Sequence, residues 1–169
     1  MKTAKGDITL HIGKVPAICI TTNGFVKKNK ENVMGRGIAK QISSLYPEIP
    51  GILGRLIARN GNIVQVIKNI NGTDIISFPV KPQYSSDHTK AVAHMKNRVS
   101  SEKIPGWAVI ADIDIIVRSA KQLNDLIDSE GYSMVLLPRP GCGAGELNWS
   151  EVKESIKDIL RDNIIVCTF

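Results

Sequence analysis

The fold class this chain predicts is α/β, a three-layer domain with helices on both faces of a central sheet. Three observations predict it. Short Val- and Ile-rich runs alternate with stretches of helical periodicity, the pattern of layered strands and helices. Two runs, AICITT (17–22) and SMVLLP (133–138), are continuously apolar rather than alternating, which suits central strands covered on both faces. At 169 residues the chain suits a single domain over 1–169, long enough to bury about 70% of its unfolded surface.

Taken in order, the first strand candidate lies in TAKGDITLHI (3–12) and the second is AICITT. VMGRGIAKQISSLYP (33–47) places Ile38, Ile42 and Leu45 at helical spacing. GILGRLIARNG (51–61) reads as a second helix that follows a proline stop and ends on Asn60-Gly61, a helix-terminating pair. GNIVQVIK (61–68) and DIISFPV (74–80) read as strands. A polar, basic stretch follows, irregular over 81–107, and its residues 83–106 are expected to form a partly helical excursion from the core. ADIDIIVRSAKQLNDLIDSEG (111–131) aligns Ile116, Ala120, Leu123 and Ile127 on one stripe and stops at Gly131. YSMVLLPR (132–139) is a strand. NWSEVKESIKDILRDN (148–163) is a helix with Val152, Ile156 and Leu160 inward and Asn148 or Ser150 as its cap. NIIVCTF (163–169) is the last strand candidate.

Composition narrows the function classes. No apolar run reaches the roughly 18 residues that span a bilayer, and MKTAKGDITLHIGK has no signal-peptide core, so no membrane association and a cytoplasmic location are expected. The three cysteines form no CxxC pair, and His11, His88 and His94 are scattered, so no metal and no cofactor is expected. Cys19 and Cys167 sit in apolar runs and read as small buried hydrophobes. The net charge of +6 concentrates in residues 27–40 and 88–103. Such a surface attracts phosphate-rich partners, nucleic acid among them, although the same charge describes an ordinary lysine-rich face. A monomer is expected.

Three loops fall at the carboxyl ends of predicted strands, where ligands collect in open α/β sheets. One follows AICITT: Asn23-Gly24, a lysine-rich passage, then Met34-Gly35-Arg36-Gly37 opening a helix. Another begins with Lys81 after DIISFPV. The third is Gly141-Cys142-Gly143-Ala144-Gly145 before a helix. Glycine admits close approach of backbone to ligand, and a helix start offers unpaired N–H groups, so a pair of such loops could cradle a diphosphate. Neither glycine loop matches GxxxxGK[ST] or GxGxxG with its downstream acid, which disfavours a P-loop enzyme and a dinucleotide-binding dehydrogenase.

In their order and separation these motifs resemble the macrodomain family, ADP-ribose-binding modules of α/β/α architecture with a mixed central sheet. Lys5-Gly6-Asp7-Ile8-Thr9 resembles the family's GDIT-type opening. Thr22-Asn23 followed by MGRGIA resembles its distal-ribose loop, and PRPGCGAGELNW is similar to its PRIGCG phosphate loop with a following Leu-x-Trp. The resemblance covers most of the chain except roughly residues 83–106.

The resemblance implies roles. Asp7 accepts from the adenine amino group and the Ile8 amide holds the ring; Asn23 meets the distal ribose. Gly35, Arg36, Gly37 and Ile38 line a phosphate and ribose through their backbone. Gly141, Cys142, Gly143, Ala144, Gly145 and Glu146 wrap the diphosphate and distal ribose. Thr22, Met34, Pro138 and Leu147 complete the binding set. Trp149 packs beneath the loop, and Phe169 either flanks adenine or is a core aromatic.

Within the family the chain looks most like the branch of lysine-dependent hydrolases that release ADP-ribose from glutamate side chains, and of antitoxins that release it from DNA bases. There a lysine follows a strand reading NFPTK or YLITK, and SFPVK places Lys81 at that position. A neutral lysine amine can attack C1″ of the distal ribose or form a Schiff base with the ring-opened aldehyde, provided burial lowers its pKa. Proton transfer and pairing with a phosphate are its other open roles. The protein-directed members carry an aspartate where this chain has Gly145. Either Glu146 supplies the acid, or the chain follows the DNA-directed members; the basic balance around Lys90, Lys96, Arg98 and Lys103 leans toward DNA. Tyr84 is a candidate for stacking on a base, against the plainer reading of a core or surface tyrosine. Two alternatives remain, a phosphatase of ADP-ribose 1″-phosphate and a non-catalytic ADP-ribose reader.

Overall fold

A computed structural model describes residues 1–98 and 102–168. A six-stranded sheet runs in the order β1 (Lys2–Lys5), β8 (Ile164–Thr168), β7 (Val135–Pro138), β2 (Ala17–Thr22), β4 (Thr73–Pro79), β3 (Gln65–Ile70). Every pairing is parallel except β3 with β4, so the sheet is mixed.

Alternation along the strands divides the interior into two cores. On β2, Ala17 and Cys19 face one side and Ile18 and Ile20 the other, all fully buried. The first side packs against α3 (Ile113–Glu130) and α4 (Trp149–Ile156) through Ile116, Ala120, Leu123, Ile127, Val152 and Ile156. The second packs against α1 (Gly37–Leu45) and α2 (Ile49–Asn60) through Ile38, Ile42, Ile49 and Leu53. Burying each of the Ile, Leu and Val side chains contributes about 1.5–3 kcal/mol, and these contacts hold the three layers together.

Several boundaries differ from the sequence reading, each for a local reason. The strand expected over TAKGDITLHI ends at Lys5, because Gly6 has a φ of 151° and the Asp7 carboxylate caps a 3-10 turn over Ile8–His11. The helix expected from Val33 begins at Gly37, and Val33 and Met34 instead line a cavity. Pro50 does not stop α2 but lies in its first turn, where the missing N–H costs nothing. Residues 157–163 leave α4 as turns, and Asn148 rather than Ser150 caps its start.

The excursion after β4 has a small core of its own. β5 (Tyr84–Ser85) pairs antiparallel with β6 (Ile104–Pro105), and Ala91, Ile104, Ala108 and Val109 pack with Met95 and Trp107. Gly106 ties it down: its amide donates to the Gln83 carbonyl at 2.8 Å, and a Cβ there would run into the backbone of Pro82.

Candidate functional site

Parallel pairing delivers the carboxyl ends of β2, β4, β7 and β8 to one edge of the sheet. Thr22 stands opposite Pro79, and Pro138 opposite Cys167. Between the loops that leave this edge lies a cavity of about 830 Å³, within the range of small-molecule sites. Its basic lining comprises Lys27, Arg36, Lys81 and Arg139, with His94 beside them, and no carboxylate lines it among the described residues. An anionic ligand is what such a cavity selects.

Lys81 follows β4 by two residues and is only 7% exposed. Its Nζ donates to the Trp107 carbonyl at 3.3 Å and to the Ala144 carbonyl at 3.2 Å, linking the excursion to the glycine loop. Burial lowers its pKa to about 8; Glu146 opposes that shift and Arg36 adds to it. A neutral amine carries two hydrogens, which these two carbonyls can take, leaving the lone pair free for another partner.

The glycine loop is shaped by contacts on its inner side. Gly141 has a φ of 75°, a conformation natural to glycine, and a Cβ there would meet Ala111 and Ile116 at 2.9 Å. A Cβ on Gly145 would fall 2.5 Å from the Gly141 carbonyl oxygen and 2.7 Å from the Ala111 Cβ. Position 145, where the sequence resemblance set a glycine against an expected aspartate, is thus closed to any side chain in this backbone. Gly143 is different: nothing lies within 4 Å of its would-be Cβ. Across the cavity, α1 starts without a side-chain cap at Arg36, so its first amides are left for a ligand.

The thiol of Cys142 donates to the Pro140 carbonyl at 3.4 Å, and burial pushes its pKa up, so it is not poised as a thiolate. Arg139 lies 5.0 Å over the Trp149 ring, which packs against the core beneath the loop.

Of the residues expected in the site, Thr22, Asn23, Met34, Gly35, Arg36, Gly37, Ile38, Lys81, Pro138, Gly141, Cys142, Gly143, Ala144 and Gly145 all line this one cavity. Asn23 also braces its own loop. Its Nδ2 donates to the Val33 carbonyl at 2.9 Å and its Oδ1 accepts from the Phe25 amide at 2.9 Å.

Asp7, Ile8, Glu146 and Leu147 are outside the lining. Asp7 sits beside it, since the Gly6 amide donates to the carbonyl of Thr168, a lining residue; its Oδ1 accepts from the Thr9 amide and hydroxyl. The Ile8 side chain is buried in the core shared with α1 and α2. Leu147 packs against the other core, and its amide donates to the Gly141 carbonyl at 2.9 Å. Glu146, in a left-handed conformation with φ 63°, turns its carboxylate to the excursion and accepts from the Ala93 amide at 2.9 Å. Phe169 lies outside the described residues.

The cavity also holds residues the sequence reading did not single out as ligand contacts, chiefly Phe25, Lys27, His94, Trp107, Arg139, Cys167 and Thr168. Arg139 lies within the PRPGCG motif, and Cys167 and Thr168 follow once β8 is placed beside β7. His94 and Trp107 arrive through tertiary packing of the excursion and carry no local signal.

No protein-family model matches the chain, and no curated protein matches it in sequence. Its structure is similar to the macrodomain of Mycobacterium tuberculosis DarG, with a TM-score of 0.68 at 19% identity over 99% of this chain and 97% of that one. The macrodomain of Thermus aquaticus DarG matches with a TM-score of 0.68 at 19% identity, over 99% and 96% of the two chains. Thermosipho africanus DarTG in complex with ADP-ribose matches with a TM-score of 0.66 at 14% identity, over 98% of this chain and 41% of that longer one. Likeness at such identities speaks to architecture rather than chemistry. The fold of this chain is that of a macrodomain.

Proposed function

We propose that the cavity binds ADP-ribose and that Lys81 removes it from a modified macromolecule, a DNA base or an acidic side chain. The observation that carries this reading is the buried Lys81 amine, set between the glycine loop and the excursion in a cavity lined only by cations and neutral groups among the described residues. The choice of ligand is supported by Thermosipho africanus DarTG, a longer protein in complex with ADP-ribose of which this chain matches 41%.

In this reading the diphosphate lies between the open start of α1 and the amides of residues 141–145, with the distal ribose toward Lys81. The neutral amine attacks C1″. The bond from C1″ to the acceptor breaks, its electron pair leaves with the acceptor, and the acceptor takes up the proton that the attacking nitrogen loses. The ribose ring opens to an imine on Nζ, and water cleaves the C=N bond to return the amine and release ADP-ribose. The Glu146 carboxylate lies outside the cavity lining, so its part is to hold the wall in place and to raise the Lys81 pKa from there.

A non-catalytic reader is the second reading, favoured by the closure of position 145 to a carboxylate. Wild type and Lys81→Ala incubated with ADP-ribosylated single-stranded DNA and with a glutamate-ADP-ribosylated protein separate the two. Release of ADP-ribose by wild type alone supports the hydrolase and names its acceptor. Absence of release from either substrate by a protein that still binds ADP-ribose in calorimetry leaves the reader or the phosphatase of ADP-ribose 1″-phosphate.

A further inference from the structure

Cleavage requires one proton to move, from the Lys81 nitrogen that attacks to the acceptor that departs, and no carboxylate lines the cavity among the described residues to carry it. The side chains that do line it differ in what they can lend. A guanidinium does not give up its proton in proteins, which sets aside Arg36 and Arg139. Lys27 is exposed, and an ammonium in water parts with its proton too reluctantly near neutral pH. Burial pushes the thiols of Cys142 and Cys167 up, so they keep their protons. Imidazole is the side chain suited to both taking and giving a proton near neutrality, and the lining holds that of His94.

His94 lies on a 3-10 turn over Ala93–Met95 that is anchored on both sides of Lys81. On one side the Val92 amide donates to the Ala108 carbonyl at 2.8 Å, next in the chain to Trp107, whose carbonyl accepts from Nζ. On the other, the Ala93 amide donates to the Glu146 carboxylate at 2.9 Å, two residues on from Ala144, whose carbonyl also accepts from Nζ. Each carbonyl that holds the amine is thus within two residues of an anchor of the His94 turn. His94 is exposed and yet lines the cavity, so it stands at the mouth, on the path by which a macromolecular acceptor must leave.

We propose that His94 is a second catalytic residue, the proton carrier between Lys81 and the departing acceptor; this deepens the hydrolase reading and rests on it. The neutral imidazole takes the proton that the Lys81 nitrogen loses once its bond to C1″ has formed. It hands that proton to the acceptor, which holds the electron pair of the broken C1″ bond. In the hydrolytic half the imidazole takes a proton from the water that adds to C1″ and passes it to Nζ. It ends each half neutral, so no proton is gained or lost over the cycle.

The test is single-turnover release of ADP-ribose by wild type, Lys81→Ala, His94→Ala and His94→Asn, from ADP-ribosylated single-stranded DNA and from glutamate-ADP-ribosylated protein. On the substrate that wild type cleaves, both His94 variants should be slower by on the order of 100-fold. His94→Asn keeps a hydrogen-bonding side chain that cannot carry the proton, so its slowness separates proton transfer from mere contact. Free imidazole added to His94→Ala should restore a large part of the rate and leave wild type unchanged. Thermal melts that match wild type show that the variants are folded. Release by either His94 variant at close to the wild-type rate, or a loss in His94→Ala that imidazole does not relieve, overturns the role of His94 and leaves the Lys81 reading intact. Absence of release by wild type, or equal release by Lys81→Ala, overturns the hydrolase reading itself and the role of His94 with it.

Discussion

At the scale of single residues, Lys81 and Glu146 decide how the site behaves with pH. A lysine that reacts as the free amine is active in its unprotonated form, so kcat/KM should rise with pH and level off above about 8. Glu146 raises the Lys81 pKa, so Glu146→Gln should move that profile to lower pH, while the carboxamide oxygen can still accept from the Ala93 amide. A profile that stays put in Glu146→Gln would show that the carboxylate does not act on the amine. Stability carries the same signature. Folded Lys81 releases its proton near 8 and unfolded lysine near 10.5, so between those values the unfolded chain binds more protons and stability rises with pH. Chemical denaturation across that window should show the stability of wild type gaining on that of Lys81→Met as pH rises, because the buried thiols and Tyr132, raised in pKa, pull both proteins equally the other way. Lys81 was legible in the sequence because SFPVK resembles the strand-end lysine motif of the macrodomain hydrolases, and strand-end position alone would not have singled it out. The latch made by Glu146 was not, because its direction depends on a left-handed backbone and on an amide 53 residues away.

At the scale of elements, the glycine loop separates structural glycines from an open one. Gly145→Ala should destabilise by roughly 1–3 kcal/mol and lower Tm by several degrees, because its Cβ has no room beside the Gly141 carbonyl. Gly143→Ala should leave Tm nearly unchanged, within about 0.5 kcal/mol, and weaken ADP-ribose binding, because its Cβ projects into open space on a residue that lines the cavity. Thermal melts and calorimetry on the pair check both. Gly54→Ala should destabilise as well, since its Cβ would run into the Lys30 carbonyl where the basic loop rests on α2. Strand and helix order was readable from apolar runs and helical stripes, and α3 agrees with its Ile116–Ala120–Leu123–Ile127 pattern. Boundaries were less readable where one residue has two meanings. Pro50 can end a helix or open one, and the TAKGDITLHI run hid a turn that begins at Gly6.

At the scale of the whole molecule, parallel strands bring groups far apart in the chain to one sheet edge, which is why the cavity draws on residues from Thr21 to Thr168. The MGRGIA and PRPGCGAG loops could be paired from sequence because each follows a strand. The wall made by His94 and Trp107 could not, since it depends on how the excursion folds over Lys81. Each reading of the site, hydrolase, phosphatase or reader, requires ADP-ribose in the cavity, and titration calorimetry of ADP-ribose into wild type tests that most directly. The account predicts saturable binding at one site per chain, weakened in Gly143→Ala and kept within a few-fold in Lys81→Ala. No binding of ADP-ribose to the folded wild type at millimolar concentration would contradict it.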